Sequence, residues 1–348
     1  MIGPRRELKI GDRPVGDGHP CYVIAEIGSN HNHDFDLARR TIDAAAKAGV
    51  DAVKFQTFKA DEHYSKKTPK FEYLKGQDTH SLIKSLELDR AWHDPLKRHS
   101  EDQGVAFFSS PCDVEAVDDL AALDVPAYKV ASFDLPDQDL ISYIARKGKP
   151  VILSTGMADW SDIQNGVGAC RAEGNDEIVL LQCTSLYPAP ADLSNLAAMG
   201  TMRRAMGCLT GYSDHTMGDH VTLAAVALGA CVIEKHFTLD RSLPGPDHAF
   251  AGEPAEFDAM MNRLREIEAA IGDGAKAGPR GGEVEMAQKG RRSLHAAVNI
   301  PAGATITAEM LSIKRPGMGI HPALKNVVVG RVARVAIDAD QWIEWEMI

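Results

Sequence analysis

No two cysteines of this 348-residue chain form a CxxC pair, which removes the thiolate frameworks used by structural zinc sites and redox dithiols. The six present (Cys21, Cys112, Cys170, Cys183, Cys208, Cys231) stand far apart, mostly inside apolar segments. They read as buried thiols of a reducing compartment, not as a disulfide scaffold. Positive charge is also short, since 38 Lys and Arg face 49 Asp and Glu and leave a net −11. That balance argues against general nucleic-acid binding and requires any anionic substrate to be met by local cations. Long hydrophobic runs are missing too. The longest largely apolar stretch, Val221 to Ile233, is too short to span a bilayer and runs straight into Glu234. The basic N-terminus, MIGPRRELKIGDRP, has no apolar segment behind it of the secretory type. A cytoplasmic protein with neither a membrane nor a nucleic-acid partner is expected.

What is present is a repeat of strand and helix patterns. Short apolar runs of strand type occupy 22–27, 51–57, 104–109, 127–132, 150–155, 178–183, 208–213 and 230–236. Amphipathic stretches of helical type separate them, at 35–48, 81–101, 113–122, 138–147, 160–173, 194–206 and 217–229, and 254–271 follows the last strand. Such β-then-α units in about 250 residues are the signature of an α/β protein built as a (β/α)8 TIM barrel. A doubly wound open sheet is the alternative, but no GxGxxG follows the first strand. The barrel domain is expected over 1–272, a glycine-rich linker over 273–290, and a small mainly-β domain over 291–348.

Polar residues concentrate at the C-terminal ends of the strands, the face on which barrel enzymes assemble their sites. They are Glu26, Lys54, Gln56, Ser110, Lys129, Ser132, Ser154, Ser185, Ser213, His215, Glu234 and His236, with Ser109, Thr155 and Thr184 beside them. Strand parity puts Glu234 and His236 on one face and Lys235 on the other, and it pairs Lys54 with Gln56. His215 and His236 end neighbouring βα units and form a candidate metal pair, although two histidines alone more often only hydrogen-bond. A serine after a strand is as readily a helix N-cap as a ligand. Lysines at positions 54 and 129 are different, because a lysine inside an apolar strand is costly to bury without an anionic partner.

Several segments together carry a family likeness: AEIGSNHNHDFDLA, DAVKFQTFKAD, FFSSP, YKVASFDLPD, GKPVILSTGMA, LLQCTSLYPAP, GYSDHTMGDH, VIEKHFTLDRSLPGPDHAFA, RRSLHAAVNIPAGATIT and IKRPGMGI. In this order the chain resembles the sialic acid synthase family, the N-acetylneuraminate synthases and their legionaminic and pseudaminic acid relatives. The resemblance implies a metal-dependent barrel joined to a C-terminal antifreeze-like (SAF, β-clip) domain. It implies condensation of phosphoenolpyruvate with an open-chain N-acetylated hexosamine, releasing phosphate and giving a nonulosonic acid, N-acetylneuraminate first and a legionaminic or pseudaminic acid as the alternative. It further implies a divalent ion, Mn²⁺ or Mg²⁺, on His215 and His236; Glu26 and Glu234 around metal-bound water; and Lys54 and Lys129 with the serines around phosphoenolpyruvate. Asp134 would be a catalytic carboxylate; Gln56, Tyr187 and Asp247 would lie on the sugar side, and Arg315 would reach in from the last domain. A homodimer that exchanges its C-terminal domains is implied as well. Two departures stand out: His33 occupies a position where many relatives have glycine, and Asp134 one where many have glutamate. A barrel that joins phosphoenolpyruvate to a phosphorylated sugar would require a further basic cluster. A noncatalytic carbohydrate- or ice-binding protein would have no use for a metal pair opposite two buried lysines.

Overall fold

The computed structural model describes residues 7–69 and 78–348. The chain forms two compact units, Met1–Gly272 and Asp273–Ile348. The first opens with an antiparallel hairpin, β1 (Glu7–Ile10) and β2 (Arg13–Gly16). This hairpin lies ahead of the first strand foreseen from the sequence. The barrel strands follow as β3 (Tyr22–Gly28), β4 (Ala52–Thr57), β5 (Ala106–Pro111), β6 (Tyr128–Val130), β7 (Val151–Ser154), β8 (Ile178–Cys183), β9 (Leu209–Asp214) and β10 (Val232–His236). They are parallel, in the order β5-β4-β3-β10-β9-β8-β7-β6. β5 and β6 adjoin in space, which brings the two ends of the sheet together into a nearly closed barrel. Nearly every strand residue is buried, as expected for a parallel sheet covered on both faces. At Gly211 a β-carbon would stand 2.1 Å from the Val232 carbonyl oxygen, so only glycine permits this approach of β9 to β10.

The helices are α1 (Phe35–Lys47), α2 (Ala60–His63), α3 (Thr79–Ser85), α4 (His93–Asp102), α5 (Val114–Ala122), α6 (Gln138–Ala145), α7 (Trp160–Ala172), α8 (Ala197–Met206), α9 (His220–Ala227) and α10 (Pro254–Ile271). Local chemistry sets their starts. Asp34, Asp113 and Asp137 each accept a hydrogen bond from the backbone N–H three residues on, and Asp159 and Asp162 form a capping box. In α1 the residues Leu37, Ala38, Thr41, Ile42 and Ala45 are buried, an i, i+4 stripe facing the barrel. The single helix expected over 81–101 is instead interrupted. Asp89 caps a new 3₁₀ turn at Arg90–Trp92 before α4 begins, because its carboxylate takes up the Ala91 N–H.

In the second unit, α11 (Glu283–Gly290) occupies part of the stretch expected to be linker. The hairpin β11 (Ser293–Ala296) and β12 (Leu311–Lys314) and a short α12 (Lys325–Val328) follow. Leu294, Ile300, Ile306, Ile320, Ile337 and Ile343 form part of a core of its own. Among the described residues, no helix is long and apolar enough to cross a membrane.

Candidate active site

A cleft of about 170 Å³ opens at the C-terminal ends of the barrel strands. Its floor is a ladder of alternating charge. Ladder register sets Glu26 of β3 level with both Lys54 of β4 and His236 of β10, and Glu234 level with Ser213 of β9. The Lys54 ammonium lies 2.7 Å from Glu26 Oε2 and 3.8 Å from Glu234 Oε2, and it donates to Ser110 Oγ at 3.1 Å. Lys129 Nζ stands 3.9 Å from Glu234 Oε1 and donates to the Val130 carbonyl. Gln56 donates to the other oxygen of Glu26 at 2.7 Å, and Ser213 donates to Glu234. Lys54 is 3% exposed and Lys129 1%, so each ammonium depends on these partners.

Electrostatics separate the two carboxylates. Burial pushes the Glu26 carboxyl up to about 7; the pull of Lys54 is the largest opposing effect, and Glu234 adds to the rise. Glu234 is equally buried, but Lys129 and Lys54 together outweigh that burial and hold it below the ordinary carboxylate range. Burial lowers Lys129, whereas at Lys54 it is overcome by Glu234 and Glu26, which raise it. At neutral pH the ladder therefore holds one carboxylate that is firmly ionised and one poised to gain or lose a proton.

The histidine pair lies on the same floor, with ring centroids 5.4 Å apart. His215 Nδ1 lies 2.8 Å from the Thr184 carbonyl, which can only accept, so Nδ1 carries a hydrogen; burial lowers the His215 pKa, but Cys183 and this carbonyl outweigh it and raise it. Burial, then His215, Lys54 and Lys235, depress His236 well below the usual imidazole value and keep it neutral. Its buried Nδ1 has no hydrogen-bond partner among the described residues and lies 3.9 Å from Asp247 Oδ2. A neutral imidazole with an orphaned nitrogen beside a carboxylate is a donor set that fits a divalent cation. Burial raises Asp247, which accepts from Ser29 Oγ at 3.2 Å. Lys235 points away, as strand parity requires, and pairs with Asp214 at 2.8 Å.

The cleft gathers most of the residues expected from the sequence: Glu26, Lys54, Gln56, Ser110, Lys129, Ser132, Asp134, Ser154, Tyr187, Ser213, His215, Glu234, His236 and Asp247. Two are not part of its lining. Ser185 sets its hydroxyl beside Gly156, where a β-carbon would meet it at 2.2 Å, and the Gly156 N–H donates to Ser132 Oγ. Arg315 belongs to the second unit and donates to the Gly290 carbonyl. His33 also lies outside the lining; it adopts φ 58° and sets its ring against Trp92. Residues that sequence reasoning missed include Ser29, Cys183, His63 and Cys112, together with an apolar wall of Phe58, Leu82, Ile83 and Leu86. Only the wall residues carry a sequence signal, an apolar cluster in the βα segment after β4, and such a cluster reads equally as core.

Comparison with known proteins places these features in a family. The NeuB family model matches residues 41–276, and the SAF domain model matches 291–348. The N,N'-diacetyllegionaminic acid synthase of Legionella pneumophila is 38% identical, the match covering all of this chain and 99% of that one. The protein of the same name from Campylobacter jejuni is 39% identical over 92% of this chain and 98% of its own. The crystal structure of an N-acetylneuraminic acid synthetase from Leptospira borgpetersenii, 33% identical, superposes with a TM-score of 0.74 over 82% of this chain and 96% of that one. With a barrel matched by one family model, a tail matched by the other and relatives of this identity along almost its whole length, the chain belongs to the NeuB family of sialic acid synthases and ends in a SAF domain.

Proposed function

We propose that the protein condenses phosphoenolpyruvate with the open-chain aldehyde of an N-acetylated hexosamine to give a nonulosonic acid and inorganic phosphate. The observation that carries this reading is the buried Glu26–Lys54–Glu234–Lys129 ladder beside the His215–His236 pair. In a protein of net charge −11 the two ammonium groups supply the local positive field that a carboxylate and a phosphate need. The Ser154 hydroxyl, buried without a hydrogen-bond partner among the described residues, is a further donor aimed at the same anion, and Ser110, Ser132 and Ser213 surround it.

His215 and His236 would hold a divalent ion, Mn²⁺ or Mg²⁺ by the oxygen-rich surroundings, and when bound it would polarise the aldehyde oxygen as a Lewis acid. The remaining work falls to the chain's own groups. Lys54 and Lys129 hold phosphoenolpyruvate so that its C3 faces the aldehyde carbon. After that carbon–carbon bond forms, water adds at C2 and the C2–O bond to phosphate breaks. The former aldehyde oxygen must gain a proton and the attacking water must lose one, and Glu26, balanced near neutrality, is the group suited to give the first and take the second. Glu234 stays ionised and keeps both lysines charged.

Gln56, Tyr187 and Asp247 line the cleft and would bind the sugar, and Phe58, Leu82, Ile83 and Leu86 of the same lining would suit a substrate carrying a second acetyl methyl. An N,N'-diacetylated hexosamine is accordingly the first expected substrate, in keeping with the names of the relatives from Legionella and Campylobacter. The mono-acetylated sugar of N-acetylneuraminate synthesis is the second reading, favoured by the likeness to the Leptospira structure. Phosphate release and product mass, measured with phosphoenolpyruvate and a panel of mono- and diacetylated hexosamines, decide between them; no product from any member of the panel would defeat the proposal. We also carry forward a homodimer with exchanged C-terminal domains, in which Arg315 serves the partner's barrel. Refolding Arg315→Ala together with His236→Ala should then restore up to about a quarter of wild-type activity if dimers assort at random. Mixed dimers as inactive as their parents would exclude the exchange.

A further inference from the structure

Three side chains from consecutive barrel connections meet at the rim of the cleft. His63 closes α2, Cys112 directly follows β5, and Asp134 follows β6. Their donor atoms all lie within 4.8 Å of one another. His63 Nε2 is 3.5 Å from Asp134 Oδ1, and Cys112 Sγ is 3.6 Å from Asp134 Oδ2. A tetrahedral zinc ion at ordinary bond lengths sets its nitrogen and oxygen ligands about 3.4 Å apart and its sulfur and oxygen ligands about 3.6 Å apart. Both separations are thus of the size found in a coordination shell, one to each carboxylate oxygen, so that the Asp134 carboxylate faces both partners and must turn to offer a single oxygen or use both. Closing the remaining edge, from His63 to Cys112, needs a shift of about 1 Å by either residue.

We propose that His63, Cys112 and Asp134 bind a soft divalent cation of the Zn²⁺ type, at a site separate from the histidine pair, and that its occupation withdraws Asp134 from the cleft and inhibits turnover. The donor chemistry sets the two sites apart. A thiolate with an imidazole and a carboxylate selects a soft or borderline ion, whereas two imidazoles among oxygen donors suit a harder one. All three residues line the cleft, so a fourth position is left to water or a substrate oxygen. The nearby ammonium groups of Lys54 and Lys129 do not bar a cation, since Glu26 and Glu234 pair with them. A cysteine binds a metal as its thiolate, whereas Cys112 Sγ is placed here as a protonated donor to Asp134 Oδ2. Binding must therefore displace the thiol proton to solvent, which gives the site a second signature.

The test uses the full-length protein stripped of metal and titrated with Co²⁺ alone as the spectroscopic stand-in for Zn²⁺. The expected result is a near-ultraviolet thiolate-to-cobalt charge-transfer band that Cys112→Ser abolishes while Cys183→Ser and His236→Ala retain it. The Cys183 arm matters because Cys183 Sγ lies 3.8 Å from His215 Nδ1 and could colour an ion bound at the histidine pair. Circular dichroism checks that each variant is folded, and weakly buffered titration with Zn²⁺ should release a proton from wild type that Cys112→Ser does not release. Cys112→Ser should also raise the Zn²⁺ concentration for half-inhibition by at least about tenfold, the smallest change expected when a coordination shell is disturbed. A wild-type protein without the band, a band that survives Cys112→Ser, or one lost on Cys183→Ser would overturn the site. Equal Zn²⁺ inhibition of wild type and Cys112→Ser would overturn the inhibition. The spectral arm does not depend on turnover, so its failure is distinct from failure of the proposed reaction.

Discussion

Lys129→Met removes a single charge from the interior of the site and leaves a side chain of similar length in its place. Lys129 Nζ lies 3.9 Å from Glu234 Oε1, and among the described residues it donates to the neighbouring Val130 carbonyl alone, so in the free protein it is held loosely for a buried ammonium. Its value should therefore appear on binding an anion. A hydrogen bond to a charged group contributes roughly 1.5–3 kcal/mol, which converts to a roughly 10- to 100-fold weaker phosphoenolpyruvate constant. The cost to folding should be smaller than for an ordinary broken buried pair. Glu234 keeps Lys54 at 3.8 Å and the Ser213 hydroxyl at 3.3 Å, and the desolvation of Lys129 is relieved. The assay is phosphate release with each substrate varied in turn, beside thermal melts of both proteins. An unchanged phosphoenolpyruvate constant, or a sugar constant that shifts more than it, would refute the division of the cleft into an anion half and a sugar half.

Three further outcomes are expected. Glu26 has a carboxyl raised to about 7, chiefly by burial, so it is protonated below neutrality and ionised above it; an added negative charge opposes an anionic ligand, and affinity for phosphoenolpyruvate should fall as pH rises through about 7. Calorimetric titration of wild type and Glu26→Gln across that range separates this from the ligand's own phosphate titration, and parallel profiles for the two proteins would contradict it. His236→Ala, which removes the orphaned Nδ1, should lose bound metal and phosphate release together while its melting behaviour stays close to wild type; elemental analysis beside the turnover assay checks this, and full activity in a chelated, metal-free sample would end the Lewis-acid reading. Gly211→Ala, which places a carbon 2.1 Å from the Val232 carbonyl oxygen, should cost at least about 1–3 kcal/mol by overpacking, seen as a lower denaturation midpoint.

Much of the barrel and its floor was legible in the sequence because both rest on local periodicity. Apolar runs bounded by helix caps mark the strands, and alternation along β10 separates Glu234 and His236 from Lys235, which the structure pairs with Asp214 on the other side. What could not be read depends on tertiary closure or on surfaces without an apolar stripe. Helix α11 buries none of its residues, so nothing in GGEVEMAQKG marks a face, and glycine content alone suggested a linker. The interruption before α4 follows from Asp89 taking up the Ala91 N–H, a competition that helical periodicity cannot register. Ser185 had the same strand-end signature as Ser154, and both hydroxyls are buried without a hydrogen-bond partner among the described residues, yet Ser154 lines the cleft and Ser185 does not, a difference that only the fold makes.

Cys112 marks the limit most clearly. In sequence it is one of six dispersed thiols, and dispersion argued for inert burial. Nothing in the spacing from His63 to Cys112 to Asp134 resembles a ligand motif, because each residue follows a different strand and their separations are set by the lengths of intervening helices. β4 pairs directly with β5, and β5 adjoins β6 only through closure of the barrel, so the three connections converge in space without leaving a period in sequence. The Glu26–Lys54 pair is legible by the opposite route: both sit at strand ends, one ladder step apart, and a buried lysine demands a partner. A charge that must be neutralised announces its site from the sequence, whereas a neutral thiol that gains a role only when a metal displaces its proton does not.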